Sequence, residues 1–307
     1  MEILRQKNPN LKETSITAYY NNLERLRKRL GYDDWSYIDD MDKTLDFLKD
    51  LKPTTQRNYL NAIMVACLST DKSPEHYTNY EKRRNECSKM YEASYKENPL
   101  TESQQKNKLP MSDIRNMINA MKTDVDKLSG LPTQSETALI RAYTLFSCLC
   151  DTPLRNEFSN MIYTSEAKFK KVNKENKNFL VKNKNEYRYV INNHKTFKRY
   201  GTKVIPVPPN SLKVLKQYIK RYNFHLGDTI FPMTTNAISQ LLLKQSNAYT
   251  GKRISTTMIR KMFVENEYGH IKKKLQELQP EIDKQEKHAN EVMGHSLSVE
   301  NAIYNSA

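Results

Sequence analysis

Five side chains in the second half of the sequence are of the types that together act on a phosphodiester. Arg155 lies in DTPLRNEFSNM, Lys195 in NNHKTFKRYG and Arg260 in TTMIRKMF, while His295 and Tyr304 stand nine residues apart in MGHSLSVENAIYNSA. A Tyr hydroxyl is a nucleophile that leaves a phosphotyrosyl ester, which keeps the energy of the broken bond for rejoining. Attack on phosphorus builds negative charge on the non-bridging oxygens. Two Arg guanidinium groups can meet that charge with planar, bidentate hydrogen bonds, and they do not lose their proton. The leaving oxygen needs a proton, which a Lys on a hairpin reaching into DNA can give. A His near the phosphate can donate a hydrogen bond or help to position the Tyr. No clustered set of Asp and Glu suits a two-metal site, so no metal and no cofactor is expected.

The elements that must position these residues can be read from the hydrophobic period. SETALIRAYTLFSCLCD, just before Arg155, is apolar enough to be a buried helix. The period then changes to that of strands in NFLVKN, YRYVIN and TKVIPVP, the last two joined through NHKTFKRYG, which places Lys195 on a hairpin. Helices return in NSLKVLKQYIKRY, TNAISQLLLKQS and STTMIRKMFVENEY, and the last of these carries Arg260. A highly charged stretch from His270 to Ser296 follows. Met258, Ile259, Met262 and Phe263 surround Arg260 with apolar side chains, and a partly buried Arg there calls for an anion.

Upstream, the first 98 residues read as four helices: SITAYYNNLERLRKRL stopped by Gly31, DKTLDFLKDL, TTQRNYLNAIMVACLST with Thr54 or Thr55 as N-cap, and PEHYTNYEKRRNECSKMYEASYKE. Residues 99–110, bounded by Pro99 and Pro110 and without periodicity, read as a linker. The fold class expected is mainly α: an all-helical domain over 1–98, and a domain over 111–307 of helices with a small antiparallel sheet.

Composition narrows the partner. Among 307 residues, 50 Lys and Arg face 35 Asp and Glu, a formal net charge of +15 that favours a polyanion, most often nucleic acid. A solvated, Lys-rich surface is the plainer source of the same charge. Tyr19, Arg57, Tyr59, Lys82, Arg83 and Arg84 on the first-domain helices, with Lys198 and Arg199 in the hairpin, are the residues expected to contact DNA. The 4 Cys have no zinc spacing, and their scarcity favours a reducing, intracellular compartment. No secretory signal and no membrane span are expected. His194 and His288 read as exposed bystanders.

In this order and spacing the residues resemble those of the tyrosine recombinases, the phage-integrase-type site-specific recombinases. PLRNEFSNM resembles the first Arg box, and GHS followed nine residues later by Tyr matches the family's distance from that His to the nucleophile. KTFKRYG resembles the Lys hairpin of integrases from virophages and related eukaryotic DNA viruses and mobile elements. The resemblance spans essentially the whole chain. It implies a helical core-binding (SAM-like) domain followed by a catalytic domain, with Arg155, Lys195, Arg260, His295 and Tyr304 as catalytic residues. Glu157 stands near the place where the family has an acidic residue that orients its neighbours. Further implications are a 3′-phosphotyrosyl intermediate, a homodimer on each double-stranded DNA site and a homotetramer in the synapse. The biological role would be integration or excision of viral or mobile-element DNA, in a host nucleus, a viral factory or the cytoplasm. The sequence departs from the pattern at Thr257, where the family has His; a hydroxyl can hydrogen-bond a phosphate but is a poor general acid or base. Two other readings use the same residues: a type IB topoisomerase-like enzyme that reseals the original strand, and a DNA-binding protein that has lost catalysis.

Overall fold

A computed structural model describes residues 1–70, 72, 74–97 and 100–293, so His295 and Tyr304 lie outside the described residues. The chain is mainly helical and divides into two compact units, Met1–Thr101 and Glu102–Ala307.

The first unit is all helix: α1 (Glu2–Lys7), α2 (Glu13–Leu30), a 3₁₀ turn (Trp35–Ile38), α3 (Met41–Lys49), α4 (Pro53–Ser69) and α5 (Pro74–Glu97). In α2 the apolar period buries Ile16, Leu23, Leu26 and Leu30, and Gly31 ends the helix in the left-handed conformation, its N–H returning to Arg27 O. The start of α4 differs from expectation. Lys52 stands at the N-cap with no side-chain hydrogen bond, Pro53 takes the first helical position, and Thr54 and Thr55 fall inside the first turn. Pro suits that position because its φ is preset and its missing N–H would have been unsatisfied there. Apolar residues on most sides of α4, from Tyr59 and Leu60 to Ala66 and Cys67, make it the centre of this unit. Buried hydroxyls there are satisfied: Tyr37 donates to Leu23 O at 3.1 Å and Tyr80 to Ile38 O at 2.9 Å.

The second unit contains α6 (Glu102–Lys106), α7 (Met111–Lys127), α8 (Gln134–Asp151), β1 (Ile162–Ser165), α9 (Glu166–Phe169), β2 (Asn178–Asn183), β3 (Glu186–Ile191), α10 (Phe197–Tyr200), β4 (Lys203–Pro206), α11 (Pro209–Arg221), α12 (Thr235–Thr250) and α13 (Thr256–Met293). Most of the segment expected as a linker is tied to this unit. Lys252 Nζ donates to Lys106 O at 2.7 Å, Arg253 N to Asn107 Oδ1 at 2.7 Å and Lys261 Nζ to Gln104 Oε1 at 2.8 Å, and Lys108 pairs with Glu265 at 2.6 Å. Polar contacts thus hold residues 104–108, and the adjoining Leu109 packs against the core of the unit.

The sheet is also larger than expected. It has four strands in the order β1-β2-β3-β4, and it is mixed: β1 runs parallel to β2, whereas β2–β3 and β3–β4 are antiparallel. At four residues, β1 is too short to show alternation, and its partner lies beyond α9. The core of the unit gathers Leu145, Phe146 and Leu149 of α8, Leu180, Tyr189 and Ile191 of the sheet, Leu215 and Tyr218 of α11, and Phe231. Helix α8 is started by a reciprocal capping box between Thr133 and Glu136. The charged stretch after Tyr268 is helical over the described residues: it continues α13 through Pro280 to Met293.

Candidate active site on the second unit

Two of the five predicted catalytic residues meet at one loop. Arg155 is the exposed residue of a partly buried turn that follows α8 from Thr152. Arg260 comes from the start of α13, which the sequence positions closely. Ser246 Oγ accepts from Ile254 N at 2.8 Å, and Ser255 Oγ accepts from Met258 N at 3.3 Å, capping the helix. Met258, Ile259 and Met262 then bury against the core, which leaves Arg260 half-buried at its edge and Thr257 exposed one turn earlier. Arg260 Nε donates to Pro153 O at 2.9 Å, so the helix is pinned to the Arg155 turn. Burial lowers the Arg260 pKa from its ordinary value, the Arg155 charge lowers it further, and the Glu157 charge opposes both. Two guanidinium groups close enough to repel form a place for a dianion or a phosphodiester. Glu157 lies beside them, partly buried, and its Oε2 has no hydrogen-bond partner among the described residues.

Lys195 belongs to the β3–β4 connection, and a residue not foreseen from sequence ties this hairpin to the Arg155 turn. Asn178, which opens β2 and is 5% exposed, donates through Nδ2 to Glu157 O at 2.9 Å and to Asn193 O at 3.2 Å. Its Oδ1 accepts from Asn192 N at 3.0 Å and from Asn193 N at 2.7 Å. One amide thus serves both sides of the site. The only sign of it in the sequence is an Asn at the head of the apolar run NFLV.

His194 corrects an expectation, because it is 6% exposed rather than a solvent bystander. Its Nε2 lies 2.9 Å from Gly201 O, an acceptor, so Nε2 carries the proton; Nδ1 faces Thr196 Oγ1 at 3.2 Å. The ring closes the hairpin from within and packs edge-on against Phe197. Gly201 has φ +62° and ψ −155°, a combination essentially confined to Gly. The bracing leaves Lys195, Lys198 and Arg199 exposed together with Phe197 and Tyr200, and the Arg199 guanidinium lies 5.1 Å from the Tyr200 ring centre. The Lys195 side chain is exposed, and no contact joins it to Arg155 or Arg260.

The first-unit residues expected to contact DNA divide. Tyr59 is 8% exposed in the core and offers a duplex little surface, and Tyr19 is half-buried against the same core. Arg83 is held by Glu86 and by Gln56 Oε1, and Arg84 by Glu81. Lys82 is exposed, and Arg57 stacks over Tyr91 at 5.1 Å, with Tyr95 beside it at 6.0 Å between ring centres. His288 has no described side chain.

Comparison with protein-family models, with curated proteins and with solved structures found no match to this chain. The class the coordinates define is a two-unit, mainly helical protein with a small mixed sheet. Among the described residues no group of His, Cys, Asp and Glu is placed to hold a metal ion, and no helix is long and apolar enough to cross a membrane.

Proposed function

We propose that the chain is a DNA strand-transfer enzyme of the tyrosine-recombinase kind. The observation that supports this most is the hydrogen bond from Arg260 Nε to Pro153 O, which brings Arg260 to the turn that carries Arg155 and Glu157 although more than a hundred residues separate the two Arg in sequence. On this reading the two guanidinium groups bind the non-bridging oxygens of the scissile phosphate and stabilise the charge that grows there. Tyr304 loses its proton and its oxygen bonds to phosphorus, while the bond from phosphorus to the 5′-oxygen breaks. Lys195 gives that oxygen its proton, and His295 donates a hydrogen bond to the phosphate. The exposed Thr257 hydroxyl, one turn from Arg260, lends a further hydrogen bond in place of the family's His. The 5′-hydroxyl of a partner strand then reverses the chemistry. Homodimers on each site and a tetramer in the synapse belong to the same proposal, as does a role in integrating or excising viral or mobile DNA.

The test is a covalent trap. The protein is incubated with a randomised pool of duplexes carrying bridging 5′-phosphorothiolates, whose cleavage cannot be reversed, and run on a denaturing gel beside Tyr304→Phe. A protein–DNA adduct that the Phe variant lacks is the expected result. Relaxation of supercoiled plasmid with no exchange between duplexes would point to the topoisomerase-like activity. Binding without any adduct would leave the chain a DNA-binding protein.

A further inference from the structure

The middle of α13, from Val264 to Ile282, carries an apolar stripe that nothing in the described chain covers. Val264, Tyr268, Ile271, Leu275, Leu278 and Ile282 are each between 39% and 57% exposed. Their spacing is four, three, four, three and four residues, on one unbroken helix from Thr256 to Met293. That alternation of four and three is the heptad pattern with two apolar positions in seven, and it keeps the stripe on one narrow seam, the signature of a coiled coil rather than of the broader face by which a helix packs on a globular core. The same helix shows the other pattern at its start, where Met258, Ile259 and Met262 are buried against the unit's own core. The change from one pattern to the other occurs where the helix leaves that core.

We infer that this seam is a self-association surface, and that its occupant is the α13 of a second copy of this chain in parallel alignment. Charge selects the partner and its direction. With Tyr268, Leu275 and Ile282 as one set of seam positions and Val264, Ile271 and Leu278 as the other, the sequence places Glu267 and Lys274 on one flank and Lys272 and Gln279 on the opposite flank. In a parallel pair the flanking residue of one helix meets the residue five positions on in the other. Glu267 is then set against Lys272 of the copy, twice by symmetry, and Lys274 against the neutral Gln279. An antiparallel pair that matches the same six apolar residues is centred on position 273, and it sets Lys272 against Lys272 and Lys274 against Lys274. The parallel alignment is therefore the favoured one: its one like-charge pairing, Glu281 against Glu286, lies at the end of the seam, whereas the antiparallel alignment also sets Glu267 against Glu281. The seam is about 27 Å long at the rise of an α-helix, under three heptads, so the association is expected to be reversible and concentration-dependent. It does not rest on the strand-transfer reading, because it needs neither DNA nor Tyr304.

Sedimentation equilibrium of the full chain without DNA, over about 1 to 200 µM, is the direct test. The expected result is a reversible dimer. Leu275→Asp and Ile271→Asp should each abolish it while leaving the helical circular dichroism unchanged, since both side chains are exposed in the single chain. A chain that stays monomeric over the whole range overturns the inference, as does a dimer that survives both substitutions. Direction is tested by charge reversal: Glu267→Lys should weaken the dimer about two- to fivefold, and Glu267→Lys combined with Lys272→Glu should restore it. A double variant no tighter than the single one overturns the parallel pairing. Tyr304→Phe should leave the dimer unchanged, so a failure of the covalent trap and a failure here are read separately.

Discussion

At the scale of single residues, the site depends on a side chain that carries none of the proposed chemistry. Asn178 makes four hydrogen bonds, with Glu157 O, Asn193 O, Asn192 N and Asn193 N. Asn178→Ala leaves two backbone N–H groups near the hairpin base without an acceptor, at a cost of about 1–3 kcal/mol each where they remain dry. The expected outcome is a lower melting temperature, together with a larger loss of strand cleavage than of duplex binding, because the Arg155 turn and the Lys195 hairpin lose their common anchor. A variant that melts lower but cleaves normally would make Asn178 a packing residue only. The cysteines give a prediction about pH. Burial pushes the Cys148 and Cys150 thiols up to about 12 from an ordinary 9.0. A thiol with a raised folded pKa holds its proton more tightly in the folded chain, so its contribution is full below about pH 9 and is lost as pH rises toward 12. Melting temperature should therefore be level up to about pH 9 and fall above it. All four cysteines are buried, so they should react with a thiol reagent only after denaturation. Arg155 and Arg260 were legible as candidates because charged residues at the edges of apolar runs stand out. Asn178 and His194 were not, because their roles depend on backbone groups brought together from distant parts of the chain.

At the scale of elements, the sequence was most readable where one period ran long enough to repeat. Helices α2, α4, α5, α8, α11 and α12 lie within a few residues of their expected spans, and β2 coincides with NFLVKN. What escaped was set by length or by partners. Strand β1 has four residues and pairs across α9, and the docking of residues 104–108 uses polar contacts that carry no period. Pro280 lies inside α13, which runs through it to Met293. The hairpin shows how an element can be held by local conformation. Gly201 closes α10 with a backbone geometry that a Cβ would strain, although no neighbouring atom crowds the place where that Cβ would go. Gly201→Ala should cost about 1–3 kcal/mol, paid by the hairpin rather than by the core. Hydrogen exchange is the measurement: amides from Asn193 to Thr202 should exchange faster, with those of α8 unchanged. Equal acceleration in α8 would mean that the hairpin and the core open together.

For the whole molecule, nearly all of the excess of 15 positive charges lies in the second unit: Met1–Thr101 carries 17 Lys and Arg against 16 Asp and Glu, and Glu102–Ala307 carries 33 against 19. Arg83 and Arg84 are paired along α5, and Arg5 with Glu13, whereas Lys195 and Arg199 of the hairpin and Lys82 of α5 are exposed. The count of 50 Lys and Arg therefore overstates the number of cations available to a duplex. If DNA is the polyanion, each Lys or Arg that neutralises a phosphate releases condensed counterions, and the logarithm of affinity falls against the logarithm of salt by about 0.9 per contact. Lys195→Ala and Lys82→Ala should then each reduce that slope by about 1, and the double variant by about 2, because the two residues lie in separate units and have no shared partner. Arg83→Ala, whose guanidinium is held by Glu86 and Gln56, should change the slope little. Fluorescence anisotropy of a labelled duplex from about 50 to 300 mM salt distinguishes the outcomes. A change for Lys195→Ala alone would assign duplex contact to the second unit and leave the basic residues of the first as a solvated surface. A change for both would mean that both units contact the backbone, which the strand-transfer reading requires. No change for either would remove the electrostatic support for that reading and leave the approach of Arg155 to Arg260 to be explained by a smaller anion.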